Sequence, residues 1–237
     1  MTGCKTAGVG ENSGNSAVNT ASVSKETTAT SSDPKESLVN SMKNMQDAKA
    51  WIADVDMSGD SMPQGNMKMQ VKYAAPESFQ IETNMAENKI QIVSVGGKTY
   101  MQMNGRWQEA PSSINMGQMI NQWKEMFDAK KVDAFRNVQL AGKETVNGRE
   151  LAVYTYEIDQ QAAIPEEMKK DMNEEAKARL AEMKSENTAK VWIDEAKKLP
   201  VKMDMTMKMS KPKEMTQKVS VNYKFDEEVK IEAPKLK

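Results

Sequence analysis

Histidine is absent from the 237-residue chain, and cysteine occurs once, at Cys4. The first absence removes the commonest general base, the usual zinc ligand and every Ser-His or Cys-His nucleophile pair. The second excludes an internal disulfide and any multi-cysteine metal site. Aromatic residues make up only 5% of the chain and hydrophobic residues 38%. Part of that shortage is concentrated in residues 2–33, which carry almost no large apolar side chain. No run of about 18 apolar residues occurs, so no segment reads as a membrane-spanning helix. Neither charge sign is in excess: the formal net charge is −1, which supplies no field to recruit nucleic acid. Ser-x-x-Lys and Gly-x-Ser-x-Gly elements are missing too. The paired glutamates Glu166–Glu167, Glu174–Glu175 and Glu227–Glu228 sit in charge-rich segments that read as solvated faces. The chain is not expected to be an enzyme, and no cofactor is expected.

Methionine, by contrast, is abundant, with 21 residues. In "VKMDMTMKMS" every second side chain from Val201 is apolar, and Met203, Met205, Met207 and Met209 follow it. That period of two predicts a strand with all five side chains on one face. A strand chosen for rigid packing would use β-branched residues. Methionine is unbranched and polarizable, and surfaces rich in it adapt to varied apolar partners.

Residues 1–33 and 34–237 read as different materials. Residues 5–32 are rich in Ser, Thr, Asn, Gly and Ala, a composition that stays solvated and unfolded. About 30 such residues have an r.m.s. reach on the order of 30 Å. Thr2-Gly3-Cys4 is similar to the end of the lipobox that closes a bacterial lipoprotein signal peptide, where the cysteine becomes the acylated first residue. Acylation of Cys4 is the implied role: a membrane anchor on a flexible leash.

Folded sequence begins at Asp33, an N-cap, and Pro34, a first helical residue, with Leu38, Met42 and Met45 on one helical face to about Asp47. Alternation follows. Trp51, Ala53, Val55 and Met57 define one strand, and Met67, Met69, Val71 and Tyr73 a second. Phe79 and Ile81, then Ile90 and Ile92, mark two more. Residues 98–110, carrying Met101 and Met103, read as a hairpin about Asn104-Gly105. The period changes over residues 112–129, where Met116, Met119, Ile120, Trp123, Met126 and Phe127 recur at helical spacing. Two strands joined at Asn147-Gly148 follow. A second long helix is predicted over residues 164–187, with Met168, Met172, Ala176, Leu180 and Met183 on its stripe. Three alternating strands end the chain. The sum is an α+β domain: a curved antiparallel sheet, a half-barrel of about 10–11 strands, with helices covering its concave face.

In "VWIDEAKKLPVKMDM", Trp192, Asp194, Leu199 and Pro200 resemble a Trp-x-Asp-loop-Leu-Pro hairpin of the LolA/LolB-like lipoprotein carriers and the related LppX/LprG-type lipoproteins. "GGKTYMQMNGRW" is similar to their paired central strands. The resemblance spans roughly residues 35–234. It implies a half-barrel with helices as a lid over an apolar cavity, and a place in the bacterial cell envelope. Lys5 stands where an inner-membrane retention signal would have aspartate, so the periplasmic side of an outer membrane, or the cell surface, is the implied destination.

Three site readings follow. The first is a lipid or other hydrophobic ligand held by a monomer in an apolar cavity. Its wall would draw on Met67, Met69, Val71, Ile90, Ile92, Met101, Met103, Met119, Ile120, Trp123, Met203, Met205, Met207 and Met209. The second is a filled half-barrel serving structure or a protein partner. The third is Cu(I), for which thioethers are suitable ligands, although the methionines are spread rather than concentrated. "DVDMSGD" starts like an EF-hand loop, but the position that needs a bidentate glutamate is Gly65, so a strand entering a turn is expected there.

Overall fold

The computed structural model describes residues 33–236, apart from 61, 63–65, 86–87, 104, 112–128, 165–169, 171, 183 and 212. The chain divides into two units, Met1–Ser31 and Ser32–Lys237, and the account below is of the second. Helix α1 (Pro34–Gln46) starts where its sequence dictates. The Asp33 carboxylate accepts from the Lys35 amide at 3.0 Å, and Pro34 occupies the first turn, where no amide donor is required. Leu38, Met42 and Met45 are buried on one stripe.

Six strands follow in a meander: β1 (Ala50–Gly59), β2 (Met67–Ala74), β3 (Ser78–Met85), β4 (Asn88–Val95), β5 (Lys98–Met103) and β6 (Arg106–Glu109). A 3-10 helix (Ala129–Ala134) leads into β7 (Phe135–Val146) and β8 (Arg149–Ile158). Among the described residues the helices α2 (Gln160–Ala163) and α3 (Glu174–Glu182) come next. Strands β9 (Lys184–Asp194), β10 (Leu199–Lys211) and β11 (Met215–Lys224) complete a second meander. The turns carry the expected chemistry. Asn147 and Gly148 both have positive φ, 52° and 74°, as a two-residue hairpin turn between β7 and β8 requires.

The two meanders join through one pairing. The order is β6-β5-β4-β3-β2-β1-β11-β10-β9-β8-β7, antiparallel throughout, and β1 lies beside β11. The result is a single curved sheet that does not close, with β6 and β7 at its edges.

Directly opposed residues share a face, so the register assigns the inner side, the one that carries α1. Trp51, Tyr73 and Phe79 form one row across β1–β3, and Ala53, Val71, Ile81, Ile92 and Met101 another across β1–β5. Through the β1–β11 pairing the inner face continues as Tyr223, Val221 and Val219, then Met203 and Met205, then Val191 and Ala189, then Tyr154 and Tyr156. The α1 stripe and the buried members of these rows make the main core, with Ile92, Val219 and Met205 packed against it.

Two expectations are corrected. Val201 does not share a face with the methionines that follow it. A register shift between Pro200 and Lys202 turns Val201 to the outer face, where it packs with Leu151, Val153 and Trp192. Proline has no amide to give to a ladder, and the irregularity sits beside it. On that outer face the Trp192 indole donates to Glu144 at 2.8 Å, and the Lys190 and Lys202 ammonium groups stand 4.6 and 4.3 Å from the ring centroid. Bonds from Lys190 and Trp192 hold the Glu144 carboxyl below its ordinary range. The second correction concerns the long helix. Asn173 Oδ1 accepts from the Ala176 amide at 2.8 Å and starts α3 only at Glu174, while Met172 lies in a bend. Residues 184–187 are already strand, paired with β10. The helix expected over residues 112–129 lies outside the described residues except for Ala129, which opens the 3-10 helix.

Candidate functional site

The inner face is graded along the strands. At one end aromatic rings fill it: Trp51 stacks on Tyr73 with centroids 5.5 Å apart, meets Tyr223 edge-on at 6.3 Å, and Tyr223 stacks on Phe225 at 6.2 Å. Toward the other end, the same strands present thioethers. Met57 opposes Met67, and Met209 opposes Met215. Helix α1 packs against β10 and β7, and its stripe joins the aromatic part of the core.

Where the packing loosens there is a cavity of about 500 Å³. Val55 and Met57 of β1, Met69 of β2, Met203, Met205 and Met207 of β10, and Val219 and Val221 of β11 contribute to its wall. Ala134, Phe135, Tyr156 and Ile158 line another side, and Gln160, Ala163, Asn187, Thr188 and Gln217 add the polar or small groups. The side formed by Ala134 and Phe135 is set by α2. Asp159 caps that helix, accepting from the Gln161 and Ala162 amides at 3.1 Å, and its own amide donates to the Ala134 carbonyl at 2.8 Å. Phe135 meets Tyr156 edge-on at 5.1 Å. Burial pushes the Tyr156 phenol up, so it stays protonated, and it donates to the Met203 sulfur at 4.0 Å.

Beside this cavity lies a larger polar depression of about 750 Å³, and the two share Ile158, Gln160 and Asn187. Among the described residues three cationic side chains line it, Arg136, Lys184 and Lys208, with four carboxylates, Glu157, Asp159, Glu186 and Glu214. Arg136 pairs with Asp159 at 3.4 Å, Lys208 approaches Glu186 at 3.9 Å, and Asn137 donates to Glu157 at 3.0 Å. The Ala162 amide, and then Arg136, keep the Asp159 carboxyl below its usual range. The Ser185 hydroxyl donates to Gln160 Oε1 at the boundary between the two spaces.

Of the wall residues expected from the sequence, the structure brings Met69, Met203, Met205 and Met207 together at the cavity. Met67 shares their face at the end of β2, opposite Met57, and Met209 lines the polar depression instead. Val71 is closed in the core at 6% exposure. Ile90, Ile92 and Met101 lie on the same face but on β4 and β5, away from the cavity. Met103 belongs to β5, and its side chain is outside the described residues, as are Cys4, Met119, Ile120 and Trp123. Sequence reasoning did not single out Tyr156, Phe135, Ile158 or Met57 as wall. Tyr156 and Ile158 alternate in "YTYEI", and Met57 falls in register with Met67, but only the β1–β11 pairing shows that these meet.

Among the described residues no group of three or more acidic, histidine or cysteine side chains is arranged to hold a metal. The "DVDMSGD" run is strand and turn. Asp54 takes hydrogen bonds from Gln70 at 2.7 Å and Lys224 at 3.1 Å, Asp56 lies 3.8 Å from Lys68, and Asp60 accepts from the Thr216 amide at 2.8 Å. Partial burial raises the Asp54 carboxyl, but its bonds to Gln70 and Lys224 outweigh this and leave it below its ordinary value.

No protein-family model matches the sequence, and no curated protein does. Solved structures do match in shape. The lipoprotein LppX of Mycobacterium tuberculosis is 15% identical with a TM-score of 0.53, the match covering 85% of this chain and 100% of that one. LprF from Mycobacterium bovis is 13% identical with a TM-score of 0.54, covering 86% and 98%. At these identities the likeness is one of fold, and the chain has the LppX-like fold that the resemblance in its sequence implied.

Proposed function

We propose that this chain is a lipid-anchored protein of the bacterial cell envelope that holds a lipid or other hydrophobic ligand non-covalently in the methionine-lined cavity. The observation that carries this reading is a space of about 500 Å³ walled mainly by apolar side chains, in the size range of small-molecule sites. A fold shared with a lipoprotein supports it, as does the Thr2-Gly3-Cys4 sequence at the start of the chain. In this reading Cys4 carries the acyl anchor, residues 5–32 are the leash, and the sheet is the working domain, acting as a monomer.

Binding needs no chemical step. Each methylene moved from water into such a wall contributes about 0.8 kcal/mol, so ten contribute roughly 8 before the cost of ordering the chain. Thioethers suit the task because Met57, Met69, Met205 and Met207 can change rotamer to follow the contour of an acyl chain. Rigid aromatic packing at the opposite end keeps the sheet in shape while they do so.

The test is native mass spectrometry of the Cys4→Ser chain, followed by solvent extraction. An adduct that disappears on extraction and is identified as lipid is the expected result. A mass equal to the bare polypeptide, with no uptake after incubation with phospholipid vesicles, would overturn the proposal.

A further inference from the structure

The cavity and the polar depression beside it together specify what kind of lipid fits, an inference that rests on the function proposed above. A methylene group takes up about as much room as a water molecule in the liquid, roughly 30 Å³. A cavity of about 500 Å³ therefore holds on the order of 16 methylenes, which is one long acyl chain. Two such chains need about twice that space.

The far end of the molecule is also specified. Ile158, Gln160 and Asn187 border both the apolar cavity and the depression of about 750 Å³, so a headgroup attached to a chain in the first lies in the second. That depression is not an anion hole. Among the described residues its three cationic side chains face four carboxylates, one negative charge in excess. Arg136 and Lys208 are engaged with Asp159 and Glu186. Among the described residues Lys184, Glu157 and Glu214 have no ion-pair partner, Glu157 accepting only from the neutral Asn137 amide, which leaves one positive and two negative charges available. A headgroup with a single negative charge meets net repulsion there, whereas one carrying both signs has a partner for each.

We infer that the ligand is a single-chain zwitterionic amphiphile, of the lysophospholipid class, with its chain against Met69, Met203, Met205 and Met207 and its headgroup between Lys184 and Glu214. The experiment compares three probes on the full Cys4→Ser chain by equilibrium dialysis below their aggregation limits. They are palmitoyl lysophosphatidylcholine, palmitate, and the two-chain dipalmitoyl phosphatidylcholine. The expected result is one lysolipid per chain, bound at least about ten-fold tighter than palmitate, with no detectable uptake of the two-chain lipid. Replacing Lys184 and Glu214 together by glutamine should weaken the lysolipid and leave palmitate unchanged. Met205→Trp, which fills the cavity, should abolish both without lowering the melting temperature. Equal affinity for palmitate refutes the headgroup assignment, and uptake of the two-chain lipid refutes the chain count; in either case the proposed function stands. Failure of all three probes overturns the inference and the proposed function with it.

Discussion

Met203 and Met207 sit four positions apart on the same face of β10, yet they should respond differently to truncation. Met203 is 3% exposed and lies between Val221 and Val191 in the main core. Its sulfur also accepts the buried Tyr156 hydroxyl. Replacing it with alanine removes three heavy atoms from a closed environment, for which methionine-to-alanine changes cost about 2–5 kcal/mol. The Tyr156 hydroxyl loses a partner as well, so a value near the middle, about 3–4 kcal/mol, is expected. Met207 is half-buried and borders a space that already exists. Its truncation widens that space rather than opening a new one, and should cost about 1 kcal/mol or less.

Urea unfolding followed by tryptophan fluorescence separates the two. With a slope of about 2 kcal/mol per molar urea, the Met203→Ala midpoint falls by roughly 1.5–2 M and the Met207→Ala midpoint by roughly 0.5 M or less. Ligand preference should move the other way. Removing about three methylene-sized groups from Met207 adds roughly 90 Å³ to the wall, which lengthens the preferred acyl chain by two or three carbons. Equal losses of stability in the two variants would refute the graded inner face, because the methionine end of the sheet would then be ordinary close-packed core.

Gly59 has φ of +139°, and a Cβ there would lie 2.1 Å from the Thr216 carbonyl oxygen, so Gly59→Ala should destabilise by about 2–4 kcal/mol on the same urea assay. Gly97→Ala, also at positive φ but with open space around it, should lose only about 1 kcal/mol, and a matching loss at both sites would show that the close approach at Gly59 is unimportant. Ser41 is 1% exposed and its hydroxyl has no hydrogen-bond partner among the described residues. Ser41→Ala should raise the melting temperature by about 2–4 °C, and a fall would mean that the hydroxyl is satisfied in solution. Asp159 titrates lower in the folded chain than in the unfolded one, so its contribution is fully present above its unfolded value near pH 4 and is lost as the pH falls below that. The stability difference between the wild-type chain and Asp159→Asn should therefore shrink from pH 7 to pH 2; parallel profiles would count against the capping role.

Strands were legible wherever one side chain in two was apolar, because a half-buried strand has no other way to hide its face. The Asn147-Gly148 turn was equally legible, since few residue pairs adopt two consecutive positive φ values. Val201 was misread for a local reason: alternation in the sequence cannot show a bulge, and only the inability of Pro200 to donate hints at one. The break before Glu174 was hidden by a charged, helix-favouring composition in which the capping role of Asn173 does not stand out. Site geometry was less accessible still. That Met205 and Met207 face inward follows from period, but that they meet Met57 and Met69 depends on β1 pairing with β11. No feature of either segment announces that pairing. Nor does the sequence of α1 say which end of the sheet it will cover.

That central pairing has a kinetic consequence. Besides its neighbour β2, β1 finds its second partner only in residues 217–224, at the far end of the domain. Contacts of such sequence separation form slowly, because the intervening loop must be closed before they contribute anything. Until the last strand arrives, β1 and β10 are both open edges, and the site does not exist, since Met57 and Met69 come from one meander and Met203, Met205 and Met207 from the other. A nascent chain can therefore have nearly all its strands and no pocket. The same seam ties occupancy to strand pairing: a molecule lodged across β1 and β11 should slow amide hydrogen exchange at Val55, Met57, Val219 and Val221 more than at the remote β3–β4 pair.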